Sequence, residues 1–131
     1  MEEEKKLVHQ HVLIKAYVNK PPMDEGDLIE WFCKLVDDIG MKICIIPRAK
    51  YVNVKGNRGV TGIVGIETSH CAVHVWDEVS PAMLQMDVYS CSSFEPQTVL
   101  NRLDDFDIVR YKMMHIDRED DFVVLENTTS P

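Results

Sequence analysis

One long stretch of this chain repeats its apolar residues at helical spacing, while most other apolar residues fall in short runs of period two; that contrast limits the fold more than any other feature. Each of Leu28, Trp31, Phe32, Leu35, Val36 and Ile39 has another of the set three or four residues away, the pattern of a helix with one face on a core. Asp24 or Asp27 supplies the cap and Gly40 the stop. Before it, Val12, Ile14, Ala16 and Val18 alternate within residues 8–18, which predicts a half-buried strand ended by Pro21 and Pro22. Residues 41–46 predict a second strand, and residues 47–59 a basic, glycine-containing loop with Lys50, Lys55 and Arg58. Further β-branched runs occupy residues 60–66, 71–76 and 83–91, with Ser80 and Pro81 as the turn between the last two. Residues 93–96 have the chemistry of a helix start, and Val99, Leu100 and Leu103 give that short helix its buried stripe. A late strand at 108–116 and another at 122–125 follow, and the polar tail is expected to fray. Strands joined by short links, with helices between some of them, predict an α+β fold: an antiparallel sheet with helices on one face.

Composition narrows the function classes. A chain of 131 residues suits one domain, 1–131, burying about two thirds of its unfolded surface. The formal charge of −8 and the lack of a basic stripe argue against nucleic acid, because phosphate-tracking surfaces concentrate Lys and Arg. A cationic or neutral small molecule is the better partner. Cys33, Cys44, Cys71 and Cys91 form no CxxC pair, and the charged residues 1–6 carry no apolar signal segment. The expectation is a reducing, cytoplasmic setting. Without an apolar run of bilayer length, no membrane is expected either.

The chemistry-bearing residues concentrate in one region. Thr68 and Ser69 precede His70, His74 follows four residues later, and Cys91 lies on the next predicted strand. A hydroxyl beside imidazoles and a thiol offers nucleophile, base and acid. A metal reading fares worse: on a strand, His70 and His74 share a face but lie roughly 13 Å apart, and no thiol pair completes a site. No metal is therefore expected. Counting by two, His70, Ala72, His74 and Trp76 share one face, and Met83, Gln85, Asp87, Tyr89 and Cys91 share a face of the next strand. Leu84, Met86 and Val88 face the other way. So polar a face is either solvated or, if covered, a site.

The ordered motifs Gly59-Val60-Thr61-Gly62, Ile66-Glu67-Thr68-Ser69-His70, His74-Val75-Trp76-Asp77-Glu78 and Met86-Asp87-Val88-Tyr89-Ser90-Cys91 resemble the prokaryotic S-adenosylmethionine decarboxylase family. The resemblance implies a pyruvoyl-dependent lyase. Ser69 would attack the carbonyl of Thr68, the chain would part between Thr68 and Ser69, and residue 69 would become a pyruvoyl group. That covalent cofactor forms a Schiff base with the substrate amine and acts as an electron sink. By position, His74 matches the histidine assisting self-cleavage, Thr61 stands where the family has a serine in the same step, and Cys91 matches the thiol that protonates the product carbon. Trp76 and Glu78 match positions near the nucleoside, Glu78 toward the ribose hydroxyls, and Tyr51 stands near the place of an adenine-stacking ring. Two residues are inserted around Val79, Ser80 and Pro81, within the turn. The family's usual glutamate before the serine is replaced by Thr68, with Glu67 displaced by one; a β-branched residue crowds that carbonyl. The resemblance further implies a homodimer, an α/β/β/α sandwich with the sites between its sheets, and S-adenosylmethionine as substrate, giving the aminopropyl donor for spermidine. Two alternatives stay open: a diverged pyruvoyl decarboxylase of arginine or ornithine, and an unprocessed, non-enzymatic nucleoside-binding homologue.

Overall fold

The computed structural model describes residues 8–131. Seven strands and two helices succeed one another along the chain: β1 (Gln10–Val18), α1 (Glu25–Asp38), β2 (Ile43–Val52), β3 (Gly59–Ile66), β4 (Ser69–Trp76), β5 (Ala82–Ser90), α2 (Pro96–Leu103), β6 (Ile108–Asp117) and β7 (Val123–Thr129). The strands form one antiparallel sheet in the order β2-β3-β4-β5-β1-β6-β7. This is the α+β fold the periodicities predict.

Local chemistry accounts for the helices. The Asp24 carboxylate accepts from the backbone N–H of Gly26 at 2.6 Å and of Asp27 at 3.3 Å, so Asp24 rather than Asp27 is the cap of α1. Gly40, at φ +71°, ends the helix in the left-handed conformation glycine adopts freely. Leu28, Trp31, Phe32, Leu35 and Val36 are buried, each contributing about 1.5–3 kcal/mol of transfer free energy. They lie on the sheet face built by Val12, Val64, Val73, Leu84 and Val88. Close approach there depends on Gly62, where a Cβ would fall 2.6 Å from Leu28 Cδ2 and 2.7 Å from Phe32 Cε2. The shorter α2 starts with Pro96 in its first turn and buries Val99, Leu100 and Leu103. The Trp31 indole donates to the carbonyl of Arg102 at 3.0 Å, and Arg102 pairs with Asp38 at 2.7 Å. Both helices are thereby tied to each other over one face of the sheet.

Two expectations need correction. Only residues 53–58 of the stretch 47–59 form a loop: β2 runs on to Val52 through Pro47. A proline survives there because β2 is an edge strand whose register shifts between Ile43 and Arg48, so the missing donor costs no ladder bond. Nor does the tail fray. Asn127, Thr128 and Thr129 pair with Met114, Met113 and Lys112, and Ser130 is clasped by Tyr111 through bonds of 2.7 and 2.9 Å.

The other sheet face carries no helix. Its rows cross the strands in register, and two of them position everything that follows. One row holds Thr61, His74, Gln85, Lys15 and Lys112; another, toward the opposite end of the strands, holds His70, Tyr89, His11 and Ile116.

Candidate active site

The hairpin joining β3 to β4 is as tight as pairing allows: Ile66 pairs with Ser69, leaving Glu67 and Thr68 as the turn. Thr68 has φ +54°, a left-handed conformation that is an outlier for a β-branched residue. Its hydroxyl donates to the carbonyl of Glu67 at 2.7 Å and also contacts the Cys91 thiol. Ser69, the next residue, is only 9% exposed. Its Oγ accepts from the backbone N–H of Cys91 at 3.1 Å and lies 3.7 Å from Cys91 Sγ. The hydroxyl contact from Thr68 lowers the pKa of the Cys91 thiol, and those from Ser69 and Ser92 add to it, against the opposing effect of burial. A cavity of about 420 Å³, lined in part by Gly40, Lys42, Glu67, Thr68 and Cys91, opens beside this turn.

The strand carries its other predicted residues away from here. His74 lies five residues along β4 from Ser69, about 17 Å at the rise of a strand, and on the helix-free face. There it pairs with Thr61, Nδ1 to Oγ1 at 3.1 Å. The Trp76 indole donates to Asn57 Oδ1 at 2.8 Å. The Tyr51 phenol donates to Asp77 at 2.7 Å, and this bond raises the phenol's pKa. Glu78 accepts from the backbone N–H of Arg58 at 3.2 Å. The predicted residues thus divide in two: Thr68, Ser69 and Cys91 at one end of the sheet, and Thr61, His74, Trp76, Glu78 and Tyr51 at the other.

Sequence reasoning missed several members. Asp77, its side chain 2% exposed, holds Arg58 at 2.8 Å and anchors the loop 53–58 beneath Trp76. On the helix-free face, His11 donates from Nε2 to Asp87 at 2.8 Å, and His70 Nε2 lies 3.4 Å from the same carboxylate oxygen. His9 meets the Tyr89 hydroxyl at 2.8 Å, and Arg118 stacks 4.5 Å above the Tyr89 ring. Burial would raise the Asp87 pKa, but the bond from His11 and the nearby His70 outweigh it and leave it lowered. Ligand atoms of His11, His70 and Asp87 lie within 4.8 Å of one another, close enough to hold a cation. However, Arg118 Nη1 donates to His11 Nδ1 at 3.1 Å, which puts the imidazole proton on Nε2, facing Asp87. Held that way, the trio is a hydrogen-bonded cluster.

The tightest hairpin of this one-sided α+β sheet thus sets a left-handed residue, a serine and an acidified thiol together. The S-adenosylmethionine decarboxylase family model matches residues 10–119, and the chain belongs to that family. It is a family of decarboxylases, carbon–carbon lyases that are generally pyruvoyl-dependent, and it implies S-adenosylmethionine as substrate. Among the described residues, no helix is long and apolar enough to cross a membrane.

Proposed function

We propose that this single-domain chain, 1–131, is the proenzyme of a pyruvoyl-dependent S-adenosylmethionine decarboxylase, cytoplasmic, cleaving itself between Thr68 and Ser69 and supplying the aminopropyl donor for spermidine synthesis. The observation that carries the reading is the placement of Ser69 directly after a left-handed threonine and beside Cys91. Strain in the preceding residue raises the energy of the intact peptide, which an acyl shift relieves. Ser69 Oγ adds to the Thr68 carbonyl carbon, the C–N bond breaks, and the nitrogen of residue 69 leaves as an amine while an ester forms. Loss of the Ser69 α-proton then expels the Thr68 carboxylate and leaves dehydroalanine. Its enamine tautomerises to an imine, and water replaces the nitrogen, which departs as ammonia, leaving a ketone at position 69.

The residues present fit such a group. Ser69 is the required precursor, and the Cys91 thiol next to it holds a transferable proton of lowered pKa. The ketone supplies an electrophile for the substrate amine and a sink for the electrons released with carbon dioxide. Trp76 and Tyr51 offer aromatic faces for the nucleoside base, and Glu78 a carboxylate for its ribose.

Those nucleoside residues, with Thr61 and His74, lie a strand's length from Ser69 in the same chain. A homodimer, an α/β/β/α sandwich made through the helix-free faces, supplies them: each site then takes Ser69 and Cys91 from one copy and the Thr61–His74 end from the other. Such packing also covers the Asp87 cluster and the exposed Leu13 and Ile63.

Intact mass during incubation tests the core of this reading. The expected result is two fragments, one ending at Thr68 and one beginning at residue 69, with Ser69→Ala remaining full length. A wild-type chain that stays whole overturns it. Carbon dioxide release from S-adenosylmethionine, compared with arginine and ornithine, then identifies the substrate.

A further inference from the structure

Lys15, Arg110 and Lys112 form a basic corner on the helix-free face of a chain whose formal charge is −8. Lys15 and Lys112 are directly paired across β1 and β6, and Tyr17 is paired with Arg110. The Arg110 guanidinium lies 4.0 Å above the Tyr17 ring, with Lys15 Nζ 5.9 Å from it. Like charges directly opposite on neighbouring strands repel, and among the described residues no carboxylate pairs with any of the three. A cavity of about 330 Å³ opens against them. At the other end of β6, the exposed Glu119, Asp120 and Asp121 form an acidic loop. Arg118 within that loop is turned away, onto Tyr89 and Phe122.

Symmetry decides whether these patches meet. Two identical sheets stacked by their helix-free faces are related by a two-fold axis lying between them. An axis along the strands keeps like ends together; an axis across the strands exchanges them. Only the second carries the Thr61–His74 end of one copy to Ser69 of the other. Lys15 and Lys112 belong to the same row as Thr61 and His74, while Gln10, paired with both Ser90 and Asp117, marks the Ser69 end. The rotation that completes the site therefore also brings the basic corner of one copy to the acidic loop of the other. The row at the axis holds Ile63, Ala72, Asp87, Leu13 and Met114, so an apolar belt meets itself at the centre. Its one carboxylate is already engaged by His11 and His70. Sheets stacked in this way cross at roughly 30°, which displaces facing rows at β6 by about 5 Å, within reach of arginine and lysine side chains.

We infer that, in the end-over-end dimer, Arg110 and Lys112 of each copy clasp Glu119, Asp120 and Asp121 of the other. The inference rests on the dimer proposed above and adds its register and the residues that specify it. Each clasp occurs twice, so charge reversal on one patch places like charges together at both ends of the interface.

The test is sedimentation equilibrium of the full chain at constant ionic strength. Arg110→Glu with Lys112→Glu, and separately Glu119→Lys with Asp121→Lys, each weaken the dimer about tenfold or more. Combining all four substitutions in one chain recovers most of the loss. If the reversals leave the dimer constant unchanged, or the combination fails to recover it, the end-over-end clasp is wrong while the dimer stands; a monomeric wild type overturns both. A second measurement does not depend on variants folding. Zero-length carbodiimide cross-linking of mixed ¹⁵N-labelled and unlabelled protein should join Lys112 to residues 119–121 between copies, and exclusively intrachain links there refute the clasp.

Discussion

Thr68 offers the sharpest check on the strained turn. At φ +54° a non-glycine residue carries a penalty of about 1–2 kcal/mol, whereas glycine visits this region freely. Comparing Thr68→Gly with Thr68→Ala isolates that penalty, since both lose the hydroxyl that touches Glu67 and Cys91. In ordinary extended backbone, alanine is the more stabilising by about 0.5–1 kcal/mol, because glycine loses more freedom on folding. Here the left-handed penalty exceeds that term, so the glycine variant should be more stable than the alanine variant by about 0.5–1 kcal/mol. With a urea slope of about 1–3 kcal/mol/M, the midpoint separates by a few tenths of a molar. The comparison belongs in a Ser69→Ala background, which keeps every chain intact. An alanine variant equal to or more stable than the glycine variant would refute the left-handed turn. With Ser69 restored, Thr68→Gly should also slow cleavage, up to about tenfold for each 1.4 kcal/mol of strain removed. An unchanged rate means that the strain does not reach the transition state.

Cys91 should react with iodoacetamide faster at neutral pH than Cys71, whose thiol burial pushes far up; Thr68→Val should move the Cys91 profile to higher pH, and no movement removes Thr68 as the cause. Asp87 is held below its ordinary pKa, so its stabilisation is present above the unfolded-state carboxylate pKa and is lost as pH falls through the lower folded value. Asp87→Asn should flatten stability against pH in that acid window, and an unchanged slope there excludes the His11 and His70 contacts as its source. Gly59→Ala should cost roughly 3 kcal/mol or more in urea unfolding, because a Cβ there would fall 1.8 Å from the carbonyl oxygen of Val75; a loss under about 1 kcal/mol would show that the backbone yields.

The sequence exposes those elements whose side chains alternate between a covered and an open face. Val12, Ile14, Ala16 and Val18 do so, and Leu28 to Ile39 do so at helical spacing. It hides elements held by backbone bonds alone. Pro47 reads as a break, yet an edge strand has a row of donors with no partner, so β2 passes through it. Asn127, Thr128 and Thr129 read as a polar tail, but β6 lends them a ladder. The same distinction governs the site. Ser69, His74 and Cys91 are visible as reactive types and as family positions. Register, which spacing does not encode, decides that Ser69 meets Cys91 whereas His74 meets Thr61. Asp77 escapes because a Trp-Asp-Glu sequence after a strand reads as surface, although Arg58 folds back to cover it. His11, His70 and Asp87 come from three strands, β1, β4 and β5, so counting along any one strand leaves them unrelated.

Strand order also decides what the proposed cleavage after Thr68 would do to the molecule. The first fragment carries β1, α1, β2 and β3, and the second carries β4, β5, α2, β6 and β7. Were the fragments side by side, cutting the hairpin would leave one seam, between β3 and β4. Instead β1 sits between β5 and β6, paired with both along its length. The first fragment therefore supplies a central strand to the second, and α1 packs Leu28 and Phe32 over the β3 glycine that admits them. Separating the fragments means breaking three ladders and opening the core, whereas cutting the peptide at the turn breaks none of them. Such a fold permits one hairpin to be consumed in making a cofactor while every other contact of the sheet persists. The left-handed Thr68 lies in a connection whose loss leaves all of these ladders in place.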